Sequence, residues 1–109
     1  MISKEEFLTL AEKGWEKYDY TFGQLYNNYG GIITEDTTSA CIIGAACAAA
    51  NDFKIGTDAC EWAEAIFPYD EKGFNELRKN VAYTSNDAGS KEAALKAVEA
   101  IEWPVAYGK

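Results

Sequence analysis

The sequence predicts an all-α fold: a compact bundle of four to five helices around a central apolar helix rich in alanine and cysteine, with an irregular aromatic connection ahead of it. Three observations predict it. The segment from Ala40 to Ala50 is apolar on every face, and a helix apolar all round is enclosed all round. Elsewhere apolar residues recur at helical rather than alternating spacing. Ser3, Asp58 and Ser90 stand immediately before such stretches, and Ser and Asp are strong helix starters because their side chains accept from free backbone N–H groups. The length, 109 residues, and the 48% hydrophobic and 14% aromatic content allow a single globular domain over residues 1–109 with a real core.

The first helix starts at Ser3, with Glu6 completing a capping box and Ile2 placed to staple against Phe7. Phe7, Leu8, Ala11, Trp15 and Tyr18 fall on one face. Glu5, Glu12 and Glu16 make an acidic stripe on the other side, with Lys13 and Lys17 nearby. Gly14 weakens the helix by about 1 kcal/mol relative to alanine, and it permits a close neighbour. From Tyr18 to Thr34 the chain turns aromatic and loop-like, ending in Asn27-Asn28-Tyr29-Gly30-Gly31. Ile32-Ile33-Thr34 reads as a brief strand for which no partner is evident.

Glu35 to Ser39 supply acids and hydroxyls for the start of the second helix, the apolar rod from Ala40 to Ala50, which Asn51 stops in a left-handed conformation. Asp58, with Glu61 three residues on, opens a third helix that runs to Ile66 and closes at Phe67-Pro68. A fourth begins near Asp70, carries Phe74, Leu77 and Val81 on one face and frays toward Tyr83-Thr84-Ser85. Asn86-Asp87-Ala88-Gly89 is a turn. Ser90 caps the fifth helix, with Ala94, Leu95, Val98 and Ile101 as its buried stripe and Glu92–Lys96 as a favourable pair, and Trp103-Pro104 ends it. No internal repeat is read.

Three segments in order, Thr21-Phe22-Gly23-Gln24-Leu25-Tyr26, Ala40-Cys41-Ile42-Ile43-Gly44-Ala45, and Asn86-Asp87 followed by Ser90 and Leu95, resemble one family. It is a family of small bacterial and phage domains of unknown function, with a Cys-x-x-Gly-Ala helix and an Asn-Asp turn before the last helix. The resemblance spans about residues 15 to 103. This chain departs from the family pattern at Ser85, where Trp is usual, and at Ala93, where Glu is common. The resemblance implies no activity.

Composition removes whole classes of function. Eighteen acids against ten bases give a net charge of −8, a surface that repels nucleic acids and anionic membranes. With no histidine in the chain, Ser-His-Asp and Cys-His catalysis and His-bearing metal sites are out. The apolar rod would span about 16 Å as a helix, half of what a bilayer needs. The N-terminus is acidic where a signal peptide would be basic, so a cytoplasmic location is expected. The three cysteines, Cys41, Cys47 and Cys60, form no Cys-x-x-Cys pair. Cys41 and Cys47 lie about 240° apart on a helix, which suits core thiols better than a metal or a disulfide.

Cys41 at a helix start has the position of a nucleophile but lacks a histidine base and faces Glu35 and Asp36. Glu61 with Glu64, and Asp70 with Glu71, are carboxylate pairs without evidence of a shared cleft. Thr37-Thr38-Ser39 beside acids suits capping better than anion binding. The leading expectation is a small acidic cytoplasmic interaction protein, of a kind a phage encodes, that binds and modulates a host protein without catalysis or cofactor. Its expected surface is Glu5, Glu12, Glu16, Tyr26 and Tyr29, because tyrosines offer large contact area with a polar tip. The alternatives are a small-ligand pocket near Tyr20, Gln24, Cys41, Asn86 and Asp87, and a DNA-mimicking inhibitor.

Overall fold

A computed structural model describes residues 2–21, 31–67 and 75–103. Its elements run in the order α1 (Lys4–Lys17), β1 (Asp19–Tyr20), β2 (Ser39–Ala40), α2 (Ile42–Ala50), α3 (Ala59–Ile66), α4 (Glu76–Asn86) and α5 (Lys91–Glu99). The architecture is mostly α-helical, as the sequence predicts. The only sheet among the described residues is a two-residue parallel pair, Asp19 with Ser39 and Tyr20 with Ala40.

Helix α2 is the axle. Every residue from Ile42 to Ala49 is buried, and only Ala50 reaches solvent. Its small side chains let α1 approach until backbone meets backbone. A Cβ built on Gly14 would fall on the Ala45 carbonyl oxygen, with the carbonyl carbon at 2.5 Å and Cα at 2.7 Å. The most extensive helix packing is at this α1–α2 seam. Phe7, Ala11, Trp15 and Tyr18 are buried along α1 and its end, and Ile2 is buried ahead of it. Phe7 also meets Phe67 edge to face at 5.5 Å and Trp103 at 5.7 Å, sealing one end of the core.

The helix starts follow the sequence. Ser3, Asp58 and Ser90 each accept a backbone N–H two or three residues on. Asn75 adds a fourth cap, accepting from Arg78 N at 3.1 Å and donating from Nδ2 to Phe67 O.

Four local expectations are corrected. Helix α2 does not begin in the Thr37–Ser39 run. Asp19 N donates to Thr38 O at 2.9 Å, and Ala40 O accepts from Thr21 N at 3.2 Å and Trp15 Nε1 at 2.9 Å. This pairing keeps the chain extended as far as Cys41, the N-cap. Asn51 is not left-handed (φ −114°), because its Nδ2 bonds back to Cys47 O at 2.8 Å. The reversal falls one residue later, at Asp52 (φ 52°) and Phe53 (φ 58°). Phe53 N bonds Ala48 O at 2.8 Å and Asp52 N bonds Ala49 O at 3.3 Å, the paired bonds of a Schellman stop. Phe53 is held in this costly conformation by an edge-to-face contact with Tyr18 at 5.5 Å and the Lys17 ammonium 4.7 Å over its ring.

Ile32–Thr34 does not form a strand, but its backbone is paired by an isolated bridge. Ile32 bridges Asp58, Ile33 N donates to Thr57 O at 2.9 Å, and Gly56 N donates to Ile33 O at 2.8 Å. Helix α4 does not fray at Tyr83–Ser85. It continues to Asn86 because Leu77, Val81 and Ser85 form one buried stripe. The expected start near Asp70, and Phe74, lie outside the described residues. Helix α5 ends at Glu99, ahead of Trp103, whose Nε1 donates to Ile2 O at 3.0 Å.

Candidate functional site

Tyr20 and Asn86 do come together, but as a joint between β1 and the end of α4. The Tyr20 hydroxyl donates to Ser85 O at 2.6 Å, with Asn86 O at 3.1 Å, and accepts from Gly89 N at 3.3 Å. Its ring packs edge to face on Trp15 at 5.5 Å. Asn86 Oδ1 is buried without a hydrogen-bond partner among the described residues. Asp87 is the exposed C-cap of α4. Gln24, Tyr26 and Tyr29 lie outside the described residues.

Cys41 is 3% exposed, and burial pushes its thiol up to about 11. The backbone N–H groups of Gly44, Ile43 and Cys41 pull the other way and are outweighed, and Cys60 adds a smaller upward push. A neutral thiol closed off from water is a poor nucleophile. None of the three cysteines is in a disulfide, and Cys60 is half-buried. Glu61 and Glu64 are both exposed on α3, and Asp70 and Glu71 lie outside the described residues. Among the described residues no three Cys, Asp or Glu side chains converge as a metal site, and no helix is long and apolar enough to cross a membrane.

The acidic stripe of α1 leads to a more organised surface. Helices α1 and α5 pack antiparallel and are stapled at both ends by lysines. Lys4, in the first turn of α1, donates from Nζ to Glu99 O at 2.8 Å and Ile101 O at 3.0 Å, at the end of α5. Lys91, in the first turn of α5, donates from Nζ to Trp15 O at 2.8 Å, near the end of α1. Each ammonium sits at a helix C-terminus, where exposed carbonyls and the helix dipole favour positive charge.

Along this pair lie two open hollows. One, of about 560 Å³, is lined by Lys4, Glu5, Leu8, Thr9 and Glu99. The other, of about 360 Å³, is lined by Glu12, Trp15, Glu16, Lys91, Glu92 and Leu95. Leu8 and Leu95 are half-buried and form part of the linings. The five glutamates are exposed, and among the described residues none of them is held in an ion pair. Both lining lysines are held by backbone carbonyls and keep their positive charge, so the linings carry five carboxylates against two ammonium groups and are acidic on balance.

Glu92, Glu99, Leu8 and Leu95 are the residues that sequence reasoning missed at this site, and a signal for them existed. Ser3 to Glu12 and Ser90 to Glu99 both read Ser-Lys-Glu-x-x-Leu-x-x-x-Glu. This corrects the reading that the chain has no internal repeat. Packed antiparallel, the two copies relate the two hollows by an approximate two-fold: Ser caps, Lys staples the opposite helix, Leu lies in the lining and two Glu flank it.

Compared with family models, with curated proteins and with solved structures, the chain matches none.

Proposed function

We propose that the chain is a non-catalytic interaction protein that binds and modulates a partner protein of its host cell through the α1–α5 face. The observation that carries this reading is the groove itself: five unpaired carboxylates line two hollows that also contain Leu8 and Leu95. A surface of this kind attracts a basic partner at long range and gives it apolar area to bury on contact. The buried, neutral Cys41 thiol argues in the same direction, since it leaves the best-placed nucleophile closed to substrate. A DNA-mimicking role draws less support, because the carboxylates lie around apolar hollows and not along a continuous polar face.

The test is affinity capture from bacterial lysate at physiological salt, with the parent chain and the Glu12→Lys/Glu92→Lys double variant side by side. Both positions are exposed, so the variant is expected to fold. A protein retained by the parent and released by the variant supports the reading. Equal retention by both, or no retained protein, overturns it.

A further inference from the structure

The two-fold arrangement of the groove restricts what shape of partner fits it. On α1, Glu5 and Glu12 lie either side of Leu8; on α5, Glu92 and Glu99 lie either side of Leu95. In each helix the two glutamates are seven residues apart, two helical turns or about 10.5 Å. The groove therefore carries two parallel acidic rails with the same period, with leucines between them. A period of two helical turns is matched by another helix with residues at seven-residue spacing, as flanking charges match in coiled coils. An extended strand places side chains of one face about 6.6 Å apart and falls out of step with such rails.

From this we propose that the groove takes a basic amphipathic α-helix of the partner protein, laid between α1 and α5 as a third helix. Its apolar stripe covers Leu8 and Leu95, and its lysines or arginines, repeated every seven residues on both sides of that stripe, meet the glutamate rails. Charge complementarity names the occupant. Five unpaired carboxylates exclude an acidic segment and a second copy of this chain, which carries −8 overall. The proposal rests on the interaction reading above and adds to it the conformation and charge pattern of the bound segment.

The experiment uses the full chain and four synthetic peptides of equal length. The first has an apolar heptad seam flanked by lysines at seven-residue spacing. The second has the same composition scrambled. The third has a central proline, which breaks the helix. The fourth has glutamate for each lysine. Binding is followed by fluorescence anisotropy at low and at physiological salt, and located by amide chemical-shift changes in the chain.

The first peptide is expected to bind at least about 10-fold more tightly than the other three, to weaken with salt and to gain helicity. Its shifts should centre on Leu8, Glu12, Leu95 and Glu99. Glu12→Lys/Glu92→Lys should weaken it at least about 10-fold, whereas Glu61→Lys/Glu64→Lys on α3 should change it less than about twofold. Equal binding of the scrambled or proline peptide overturns the helical proposal, as does equal weakening by the α3 variant. Lysate capture that depends on Glu12 and Glu92 would survive that result, so the two readings fail separately.

Discussion

Replacing Gly14 by alanine sets two effects against each other at the α1–α2 seam. Helix propensity alone favours the substitution by about 1 kcal/mol. Packing opposes it, because the new methyl lands on the Ala45 carbonyl, with the carbonyl carbon at 2.5 Å and Cα at 2.7 Å. The obstacle is backbone of a fully enclosed helix, with no flexible side chain to swing aside. Restoring ordinary separation requires the helices to part by about 1 Å, and a gap of that size forfeits a quarter to a half of the dispersion energy across the affected contacts. Ala11 and Trp15, buried on either side of Gly14, would lose part of theirs. Overpacking of this kind costs typically about 1–3 kcal/mol and more where nothing yields. With a rigid backbone as the obstacle the cost falls at or above the top of that range, and less the propensity gain the net expectation is a loss of about 2 kcal/mol, or a fall in Tm on the order of 10 °C. Urea and thermal unfolding followed by circular dichroism measure it. Thr9→Ala, at an exposed position of the same helix, serves as the propensity control and should be neutral or slightly stabilising. A Gly14→Ala protein that melts at or above the parent would refute the backbone-to-backbone seam, and with it the enclosed position of α2.

Three further outcomes follow from named contacts. The Cys41 thiol is raised from 9.0 to about 11 in the folded chain, so its contribution is fully present below pH 9 and is lost as pH rises through 11; about 3 kcal/mol should disappear across that window. Tyr18, raised mainly by burial, adds to the loss in the same direction. Urea midpoints of the parent and Cys41→Ala should converge as pH rises, and parallel profiles would contradict the assignment. Tyr20→Phe removes the 2.6 Å bond to Ser85 O and should cost about 1–2 kcal/mol in chemical denaturation, with faster amide exchange at the end of α4. Lys4→Met and Lys91→Met each unstaple one end of the α1–α5 pair and should cost about 1 kcal/mol apiece, near-additively because they act at opposite ends.

The elements that can be read from the sequence are those whose signals are local. A capping side chain bonds a backbone N–H two or three residues away, so Ser3, Asp58 and Ser90 mark helix starts without knowledge of the rest of the fold. The burial of α2 is equally local, since a run with no polar face has nothing to offer water. Gly14 belongs here too: in an otherwise well-formed helix, a glycine signals a neighbour too close for a methyl group. Misreadings occur where a distant segment claims the backbone. Ser39 and Ala40 have the hydroxyl and propensity to enter α2, but the chain at 19–21 takes their hydrogen bonds first. Ile32 and Ile33 look unpartnered because their partners, Thr57 and Asp58, belong to what reads as a loop and a helix cap.

The groove shows the same division more sharply. Half of it, Glu5, Glu12 and Glu16, is visible as a stripe along one helix. The other half comes from α5, and only the antiparallel pairing brings Glu99 beside Glu5 and Glu92 beside Glu12. That pairing depends on lysines reaching carbonyls 95 and 76 residues away in sequence, and no windowed periodicity detects such contacts. The shared Ser-Lys-Glu-x-x-Leu-x-x-x-Glu pattern is detectable in principle, yet each part has a sufficient local reason to be there. Serine caps, glutamate favours the positive end of the helix dipole, and leucine is a good helix former. What local reasons leave unexplained is Glu99, the last residue of α5, where the helix dipole disfavours negative charge; its counterpart Glu12 is the ninth of the fourteen residues of α1 and lies outside the reach of that effect. Glu99 is placed against its local preference, and Lys4, whose ammonium bonds the Glu99 and Ile101 carbonyls, supplies the positive charge at that helix end, so the α1–α5 pairing itself makes the position tolerable.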